Sequence, residues 1–271
     1  MNGLLSRIKG RLTGRGLLSL ARRRRVEIIS KLDAREGYRL WAPCYAAETA
    51  TSFLDDELAH EMLGSLPHTQ LLDAGCGVGR RIQDIPDAIG MDLSPEMLAA
   101  GGARNVVPGD VRAMPFASDR FDMVWCRLVL GHLPDPLPAY RELARVCMPG
   151  GYVFVTDFHP DAVAAGHRRT FNVQKETVFE IEHYVHTDHI QLAAVAGLTL
   201  VASREGVVGP SIRDFYLRGI GMKAYKRDVG LKLVSAYLFR RSTASVPAKP
   251  DQCEQEVFST AARYIPITRS T

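Results

Sequence analysis

The chain has 271 residues, of which 46% are hydrophobic and 24% charged, which is typical of a globular domain large enough to bury a substantial core. No segment approaches the roughly 18 apolar residues of a membrane-spanning helix, and we expect no signal peptide because the N-terminal apolar stretch is short and is followed by basic residues. The five cysteines show neither metal-ligand spacing nor an even disulfide framework. We interpret them as reduced packing residues of a cytoplasmic protein, with a catalytic thiol as the alternative.

Residues 1–25 form a basic N-terminal arm. They carry eight Lys and Arg residues and no acid, whereas the whole chain has a net charge of +4, so the rest of the chain is mildly acidic. Apolar residues recur in the arm at near-helical spacing, at Leu4, Leu5, Ile8 and Leu12. Three interpretations stay open: a solvated or self-packing arm, contact with an anionic membrane surface, and binding of RNA or another partner, including a second copy in a homodimer.

Residues 26–66 are predicted to form a helical cap, and residues 67–241 alternate between apolar strands and helices. The strands are predicted near 70–74, 89–92, 104–107, 121–126, 151–157, 198–203 and 231–240, and the helices near 51–64, 79–84, 95–101, 136–147 and 187–196. Such alternation predicts an α/β fold with a parallel sheet and helices on both faces. The helix after Gly79 is short because Pro86 limits it, so one side of the pocket should be less covered or covered by the cap.

A glycine-rich loop follows the first strand of this core. The sequence LLDAGCGVG ends at Gly79 and places Gly75 and Gly77 where the backbone turns sharply and approaches a ligand without Cβ clashes. The spacing is G-x-G-x-G, and Arg80 stands where the dinucleotide pattern G-x-G-x-x-G has its third glycine. The helix predicted after the loop directs free N–H groups at the ligand.

Two carboxylates at strand ends indicate which ligand suits the loop. Asp73 ends the strand before the loop, where a carboxylate suits a pyrophosphate poorly and a cation well. S-adenosylmethionine carries a sulfonium, an ammonium and a carboxylate, so Asp73 is placed to receive its ammonium, directly or through water, and the helix start its carboxylate. Asp92 ends the next strand and is placed to accept hydrogen bonds from a ribose diol. The alternative is a glycine-rich turn in an unrelated α/β protein.

Four sequence blocks cover the chain from about Leu71 to Phe158: LLDAGCGVG, IGMDLSPEML, GDVRAMPFASDRFDMVWCRLVLGHLPDP and LARVCMPGGYVFVTDF. Together they resemble a class I S-adenosylmethionine-dependent methyltransferase, of the group that includes the ubiquinone and menaquinone C-methyltransferases. The resemblance implies a Rossmann-like fold with a mostly parallel seven-stranded sheet, an antiparallel last strand and an N-terminal helical cap. It also implies S-adenosyl-L-methionine as the cofactor.

The resemblance implies roles for single residues around the cofactor. In the family, the acid aligned with Asp110 accepts a hydrogen bond from the adenine amino group, and the backbone aligned with Val111 pairs with the ring. Met114 and Phe116 are expected to wall the adenine. For Asp110, capping of a turn is the alternative. Leu93 lies in the block that resembles the ribose-binding strand and is taken as a further cofactor contact.

The segment Tyr38-Arg-Leu-Trp-Ala-Pro-Cys-Tyr45 resembles a tyrosine-bearing segment that closes over the cofactor in the quinone methyltransferases. Aromatic rings attract a sulfonium, so Tyr45 is a candidate cofactor contact. The alternative is that Tyr38, Trp41 and Tyr45 only pack the cap. Arg127 departs from the small polar residue common at its position. It contacts an acidic acceptor or the cofactor carboxylate, or it forms a salt bridge within the cap.

Two histidines are candidate bases. His132 resembles a histidine on the substrate side of the fourth strand, and His159 follows the fifth strand; packing or a structural hydrogen bond is the alternative for each. The insertions 159–186 and 204–230 are assigned to the acceptor pocket because both leave the carboxyl side or an edge of the sheet. Residues 242–271 are interpreted as an extended C-terminal tail.

These observations predict methyl transfer from S-adenosylmethionine to an O or C atom of a small organic acceptor that is phenolic, quinone-like or another secondary metabolite. The alternatives are an RNA methyltransferase that uses the basic arm and a non-catalytic S-adenosylmethionine-binding protein. Nucleic acid is disfavoured because no Asn-Pro-Pro-Tyr-type motif follows the fourth strand and the basic charge is confined to the arm. No metal is expected. We expect a cytoplasmic protein, with membrane association through the arm left open.

Overall fold

The computed structural model describes residues 28–243 except 46, 47, 65 and 174–176. The strands are β1 (Ile28–Leu32), β2 (Leu71–Ala74), β3 (Ile89–Asp92), β4 (Val106–Pro108), β5 (Phe121–Arg127), β6 (Cys147–Phe158), β7 (Thr170–Val173), β8 (Thr177–Ile181), β9 (Leu198–Val207) and β10 (Lys232–Arg241). The helices are α1 (Ala34–Trp41), α2 (Ala50–Leu63), α3 (Pro95–Ala100), α4 (Leu137–Val146), α5 (Pro160–Ala164), α6 (His189–Val195), α7 (Arg213–Gly219) and α8 (Met222–Asp228). The basic arm and nearly all of the C-terminal tail lie outside the described residues.

Seven strands form the main sheet, in the order β4-β3-β2-β5-β6-β10-β9. The pairs from β4 to β6 are parallel, and β10 runs antiparallel to both β6 and β9. The predicted α/β fold with its antiparallel last strand is therefore confirmed. Asp73 pairs with Gly90 of β3 and with Trp125 of β5 in this register. The carboxyl ends of the central strands consequently meet at one edge, where ligands bind in sheets of this kind.

A second, three-stranded sheet joins the cap to the insertion after β6. Its order is β1-β8-β7, with β1 parallel to β8 and β7 antiparallel to β8. The prediction of a purely helical cap over 26–66 was therefore wrong at its start. The pairing of Leu32 with Ile181 shows why, since β1 finds its partner far along the chain and local periodicity carries no sign of it.

Helix α2 packs the cap onto the main sheet. A capping box starts it: Oγ1 of Thr49 accepts from the backbone N–H of Ser52, whose Oγ accepts from the N–H of Thr49. Leu54 and Leu58 are buried in one of two apolar clusters, together with Val234 of β10. Each such leucine contributes about 1.5–3 kcal/mol when fully buried, so the cap is held by the same forces as the core.

The helix predicted over 79–84 is absent. Successive turns replace it, closed by bonds from Gly79 N–H to Cys76 O (3.0 Å), Ile82 N–H to Gly79 O (3.2 Å) and Ile85 N–H to Ile82 O (3.1 Å). These bonds span three residues rather than the four of an α-helix. The short connection to β3 and the missing N–H of Pro86 leave no room for a regular helix.

Candidate functional site

A cavity of about 370 Å³ lies at the carboxyl edge of the main sheet, beneath α1 and beside the segment that leads into β7. Most of the sequence-predicted site residues line it: Tyr45, Gly75, Gly77, Asp92, Leu93, Asp110, Val111, Arg127 and His132. Asp73, Gly79 and His159 do not line it. The residues predicted from separate sequence blocks thus surround one common space.

The glycine loop adopts backbone conformations that favour glycine. Gly75, Gly77 and Gly79 have φ values of +87°, +58° and +70°. A Cβ on Gly75 would lie 2.2 Å from Cγ2 of Val129, and one on Gly79 would lie 2.5 Å from Cβ of Ala103. The first contact brings the loop after β2 against the chain that follows β5, so it shapes the cavity wall directly.

The loop differs from the expected anion site. The N–H groups of Gly75 and Cys76 both donate to Met91 O, at 2.7 and 2.9 Å, and the N–H of Gly77 donates to Oδ2 of Asp92 at 2.7 Å. No helix begins after the loop in this described segment. The expectation that a helix N-terminus here receives the cofactor carboxylate was therefore wrong.

Asp73 is an orphaned carboxylate behind the loop. It is fully buried, and neither of its carboxylate oxygens has a hydrogen-bond partner within the described part of the chain. Burial raises its pKa, while Arg81 and Arg127 act in the opposite direction. A buried carboxylate without partners is costly unless a donor or cation reaches it. Its position, two residues before the cavity wall at Gly75, fits an ammonium group reached directly or through water.

Asp92 is oriented by backbone N–H groups. Its Oδ2 accepts from Gly77 and its Oδ1 accepts from the N–H of Ser94 at 2.9 Å. Burial raises its pKa, and these backbone bonds oppose the rise. Because a carboxylate offers about four acceptor sites, Asp92 keeps acceptor capacity at the cavity wall for hydroxyl groups. Leu93 and Met97 supply apolar surface beside it.

The loop after β4 presents Asp110 together with a partner of its own. Arg112 donates to Asp110 through Nε, Nη2 and the backbone N–H, at 2.6–3.1 Å, and this pairing lowers the pKa of Asp110. Asp110 therefore caps a turn, which was the alternative to its role at the adenine, but its carboxylate still lines the cavity. Met114 and Phe116 were wrongly expected as adenine walls: neither lines the cavity, and Phe116 packs against Phe121.

Four rings form an aromatic cluster on the cap side, comprising Tyr38, Trp41, Tyr45 and Phe171. Trp41 stacks on Phe171 with ring centroids 5.1 Å apart and on Tyr38 at 5.9 Å, and it meets Tyr45 edge-on at 4.9 Å. The three cap rings also line the cavity. The cluster therefore packs the cap against β7, as one interpretation of the sequence had it, and the contact of Tyr45 with a cofactor stays a prediction.

His132 lies on a 3₁₀ turn after β5, with both ring nitrogens engaged. Its Nδ1 is 3.0 Å from the carbonyl oxygen of Glu182, so that nitrogen carries the proton and donates. Its Nε2 then accepts from the hydroxyl of Tyr38 at 3.0 Å. Burial lowers the pKa of His132 to about 3 and raises that of Tyr38 to about 12. Both groups are consequently neutral at pH 7.

His159 stands apart from this pair. Its side chain caps α5, where Nδ1 accepts from the N–H of Asp161 at 3.0 Å, and its Nε2 lies 3.4 Å from Glu205 of β9. Since it does not line the cavity, the prediction of His159 as a base for this site is corrected. The sequence position just past β6 suggested the carboxyl edge, but the capping bond directs the ring elsewhere.

Arg127 is committed to the cap. Its Nη2 donates to Asp55 at 2.9 Å and to Asp56 at 2.5 Å, and Asp55 also accepts from Arg81 at 2.8 Å and from Thr156 at 2.6 Å. These five residues form a buried ionic network between α2 and the core. Of the alternatives for Arg127, the structure realises the salt bridge within the cap.

Sequence reasoning missed Arg169, which lines the cavity and donates from Nη1 to the Tyr38 hydroxyl at 2.9 Å. It lies in the insertion after β6, where the family resemblance stops. A single arginine in an unmatched segment carries no signal of its own. Only the pairing of β8 with β1 brings this segment to Tyr38.

Among the residues that the structure describes, no three His, Cys, Asp or Glu side chains are grouped so that they could hold a metal ion. None of the described helices has the length and hydrophobicity that a bilayer crossing requires.

Comparisons with known proteins agree with this geometry. A family model described as a methyltransferase domain matches residues 72–155. The malonyl-[acyl-carrier protein] O-methyltransferase of Dechloromonas aromatica is 30% identical over 202 residues, which is 69% of this chain and 73% of the relative.

Two further curated relatives match over shorter stretches. The enzyme of the same name from Herminiimonas arsenicoxydans is 41% identical, over 34% of this chain and 38% of its own length. The demethylmenaquinone methyltransferase of Renibacterium salmoninarum is 33% identical, over 38% of this chain and 47% of its own length. The chain thus spans less than half the length of these two relatives.

Solved structures share the fold at low identity. An S-adenosylmethionine-dependent methyltransferase from Mesorhizobium loti gives a TM-score of 0.53 at 17% identity, covering 69% of this chain and 98% of that one. The [4+2]-cyclase SpnF gives 0.54 at 17% identity, covering 81% and 100%. At such identity the likeness concerns the fold alone.

Proposed function

The chain belongs to the S-adenosylmethionine-dependent methyltransferases, and on this premise we propose that it methylates an oxygen or carbon atom of a small organic acceptor bound beneath the aromatic cluster. The observation that carries the proposal is the cavity itself. It is continuous from the glycine loop and Asp92 to the Tyr38–His132 pair, so one space can hold a nucleoside donor and an acceptor. A phenolic, quinone-like or other secondary-metabolite acceptor suits its aromatic walls.

The cofactor would be held by residues at the carboxyl edge of the sheet. Asp73 offers an unpartnered carboxylate for the ammonium, Asp92 offers acceptor capacity for the ribose hydroxyls, and Asp110 with Val111 borders the expected adenine position. Leu93 and Tyr45 add apolar and π surface at the same walls. The same assignment gives Gly75, Gly77 and Gly79 the role of allowing close backbone approach.

S-adenosylmethionine, held by these residues, would supply an electrophilic methyl carbon and a neutral thioether as the leaving group. The protein aligns the acceptor and excludes water. We assign both tasks to the cap and its aromatic cluster, because Tyr38, Trp41 and Tyr45 line the cavity and Tyr45 approaches the glycine loop at Gly77.

We assign the Tyr38–His132 pair to the acceptor. The bond from Nδ1 to Glu182 O fixes the tautomer, so Nε2 stays an acceptor and the Tyr38 proton is directed at it. The phenolic oxygen of Tyr38 is therefore turned toward other donors, including a hydroxyl of the acceptor. With a pKa near 3, His132 is a weak base, so the pair positions the acceptor more than it removes a proton.

The test is direct. Purified full-length protein should bind S-adenosylmethionine in calorimetry and should transfer label from its methyl group to at least one member of a panel of phenols, quinones and carboxylic acids. Absence of donor binding would contradict the proposal entirely. Donor binding without transfer to any small acceptor, but with salt-sensitive transfer to RNA, would replace it with the RNA alternative.

A further inference from the structure

We propose that Arg169 selects acceptors that carry an anionic oxygen, such as a carboxylate or an ionised phenol, and holds that oxygen in the cavity. The inference rests on the proposed function and names its substrate class. The residue comes from the insertion after β6, and it reaches the acceptor side of the cavity through its bond to Tyr38.

The first observation concerns charge. Seven arginines line the cavity, and most are neutralised by the protein itself. Four of them form ion pairs with carboxylates at 2.6–3.0 Å: Arg80, Arg81, Arg112 and Arg127. Arg35 and Arg168 are exposed. Arg169 alone is half-buried without an ion-pair partner among the residues that the structure describes.

The second observation concerns what surrounds Arg169. The hydroxyl of Tyr38 accepts from its Nη1, and a neutral oxygen does not balance a positive charge. Asp157 acts on Arg169 only at longer range, because its carboxylate lies against His183 and His189, at 3.5 and 3.4 Å. A partly desolvated guanidinium with unused donors favours an anionic ligand that accepts two of its N–H groups.

The third observation concerns the Tyr38–His132 pair. A histidine whose pKa lies near 3 removes a proton poorly from a neutral hydroxyl or carbon acid. An acceptor that arrives already ionised needs no such step. The positive charge of Arg169 favours the ionised form of the acceptor, and the Tyr38 hydroxyl, whose proton is given to His132, holds the guanidinium in position by accepting from it. Arg169 is thus a specificity residue, and Tyr38 is its positioning residue.

The experiment measures binding of small probes to full-length protein saturated with S-adenosylhomocysteine. The probes are two matched pairs: benzoate with benzamide, and 4-nitrophenol, at a pH where it is ionised, with 4-nitroanisole. The variants are Arg169→Met, Arg169→Gln and Arg169→Lys, and the control is Arg204→Met, an exposed arginine of β9 paired with Glu61 outside the cavity. Thermal melts check that each variant is folded.

At least one anion should bind the wild type about 10–100-fold more tightly than its neutral partner, as a charged hydrogen-bond contact predicts. Arg169→Met should abolish this preference, Arg169→Lys should keep part of it, and Arg204→Met should keep all of it, with S-adenosylhomocysteine affinity unchanged throughout. The pair that shows the preference identifies a carboxylate or a phenolate acceptor.

Three results would overturn the inference. They are equal binding of anion and neutral partner by the wild type, an undiminished preference in Arg169→Met, and a parallel loss of S-adenosylhomocysteine affinity, which would place the cofactor carboxylate on Arg169. If Arg169→Met does not fold, Arg169→Gln takes its place because it removes the charge and keeps a polar side chain, and an undiminished anion preference in that variant would equally overturn the inference. Failure of S-adenosylhomocysteine to bind the wild type would instead refute the proposed function.

Discussion

Replacement of Asp55 by Asn should strongly destabilise the protein. Asp55 is fully buried and accepts from Arg127, Arg81 and Thr156. The Asn variant keeps the side-chain volume but leaves two arginines without their main counter-ion. Breaking a buried ion pair from one side costs about 3–5 kcal/mol. Because Asp56 remains bonded to Arg127, we expect the lower end, about 3 kcal/mol.

Urea unfolding at pH 7 measures this loss, and calorimetry should show a melting temperature lower by about 6–12 °C. The matched control is Asp56→Asn. This neighbouring carboxylate has a side chain 36% exposed and bonds to the same Arg127, so its loss should cost no more than about 1 kcal/mol. A cost for Asp55→Asn below 1 kcal/mol, or equal to that of the control, would refute the reasoning.

The pH dependence gives an independent check on Asp55. Arg127 and Arg81 outweigh burial and lower its pKa in the folded protein. A lowered folded-state pKa contributes stability that is present above the unfolded value of about 3.9 and is lost as pH falls through the folded value. The difference in unfolding free energy between wild type and Asp55→Asn should therefore be constant from pH 5 to 7 and shrink below about pH 4. A difference that stays constant on acidification would contradict the ion-pair account.

Three further predictions concern the cavity and the turn that carries His132. Gly131→Ala should cost about 1–3 kcal/mol in urea unfolding, since a Cβ there would lie 2.1 Å from Nε2 of His183; unchanged stability would mean that the turn adjusts freely. Gly75→Ala should weaken S-adenosylmethionine binding in calorimetry by at least about tenfold, because Gly75 has a φ of +87° and an added Cβ would contact Val129. Equal affinity would refute the role of the glycine loop in binding the donor. Tyr38→Phe should lower kcat in the methyl-transfer assay about 10–100-fold, because the hydrogen bond from the charged Arg169 is lost. The affinity for the donor should stay the same, and a loss of donor affinity alone would mean that Tyr38 contacts the cofactor and not the acceptor.

The core of the fold could be predicted because its signals are local. The apolar run that becomes β2 ends at Asp73 and enters three glycines, and β3 ends at Asp92. Strand length, turn chemistry and the carboxylate positions are all readable within about 20 residues. Such local signals placed Asp92 at this edge, whereas Asp110 and His132 were placed there by the family resemblance.

The predictions that failed depend on contacts between distant parts of the chain, or on local restrictions and hydrogen bonds that outweigh the predicted pattern. The helix expected over 79–84 had suitable spacing, but the connection to β3 is too short and contains Pro86. The parallel pairing of β1 with β8 joins segments that no periodicity links. His159 was placed correctly at the end of β6, yet a bond to its own neighbour Asp161 directs its ring away from the cavity. The position of a residue along a strand predicts where its side chain leaves the backbone, and its local hydrogen bonds decide in which direction the side chain points.

The two halves of the site are therefore supported by different parts of the fold. The cofactor half depends on the ends of β2, β3 and β4, whose register is set by the main sheet. The acceptor half depends on Tyr38 of α1 and Arg169 before β7, and these meet because the small sheet pairs β1 with β8. Changes in the cap or the insertion can thus alter the acceptor while the carboxylates of the cofactor half keep their partners. The family model ends at residue 155, before Arg169, so the acceptor is to be sought from the charge and shape around Arg169.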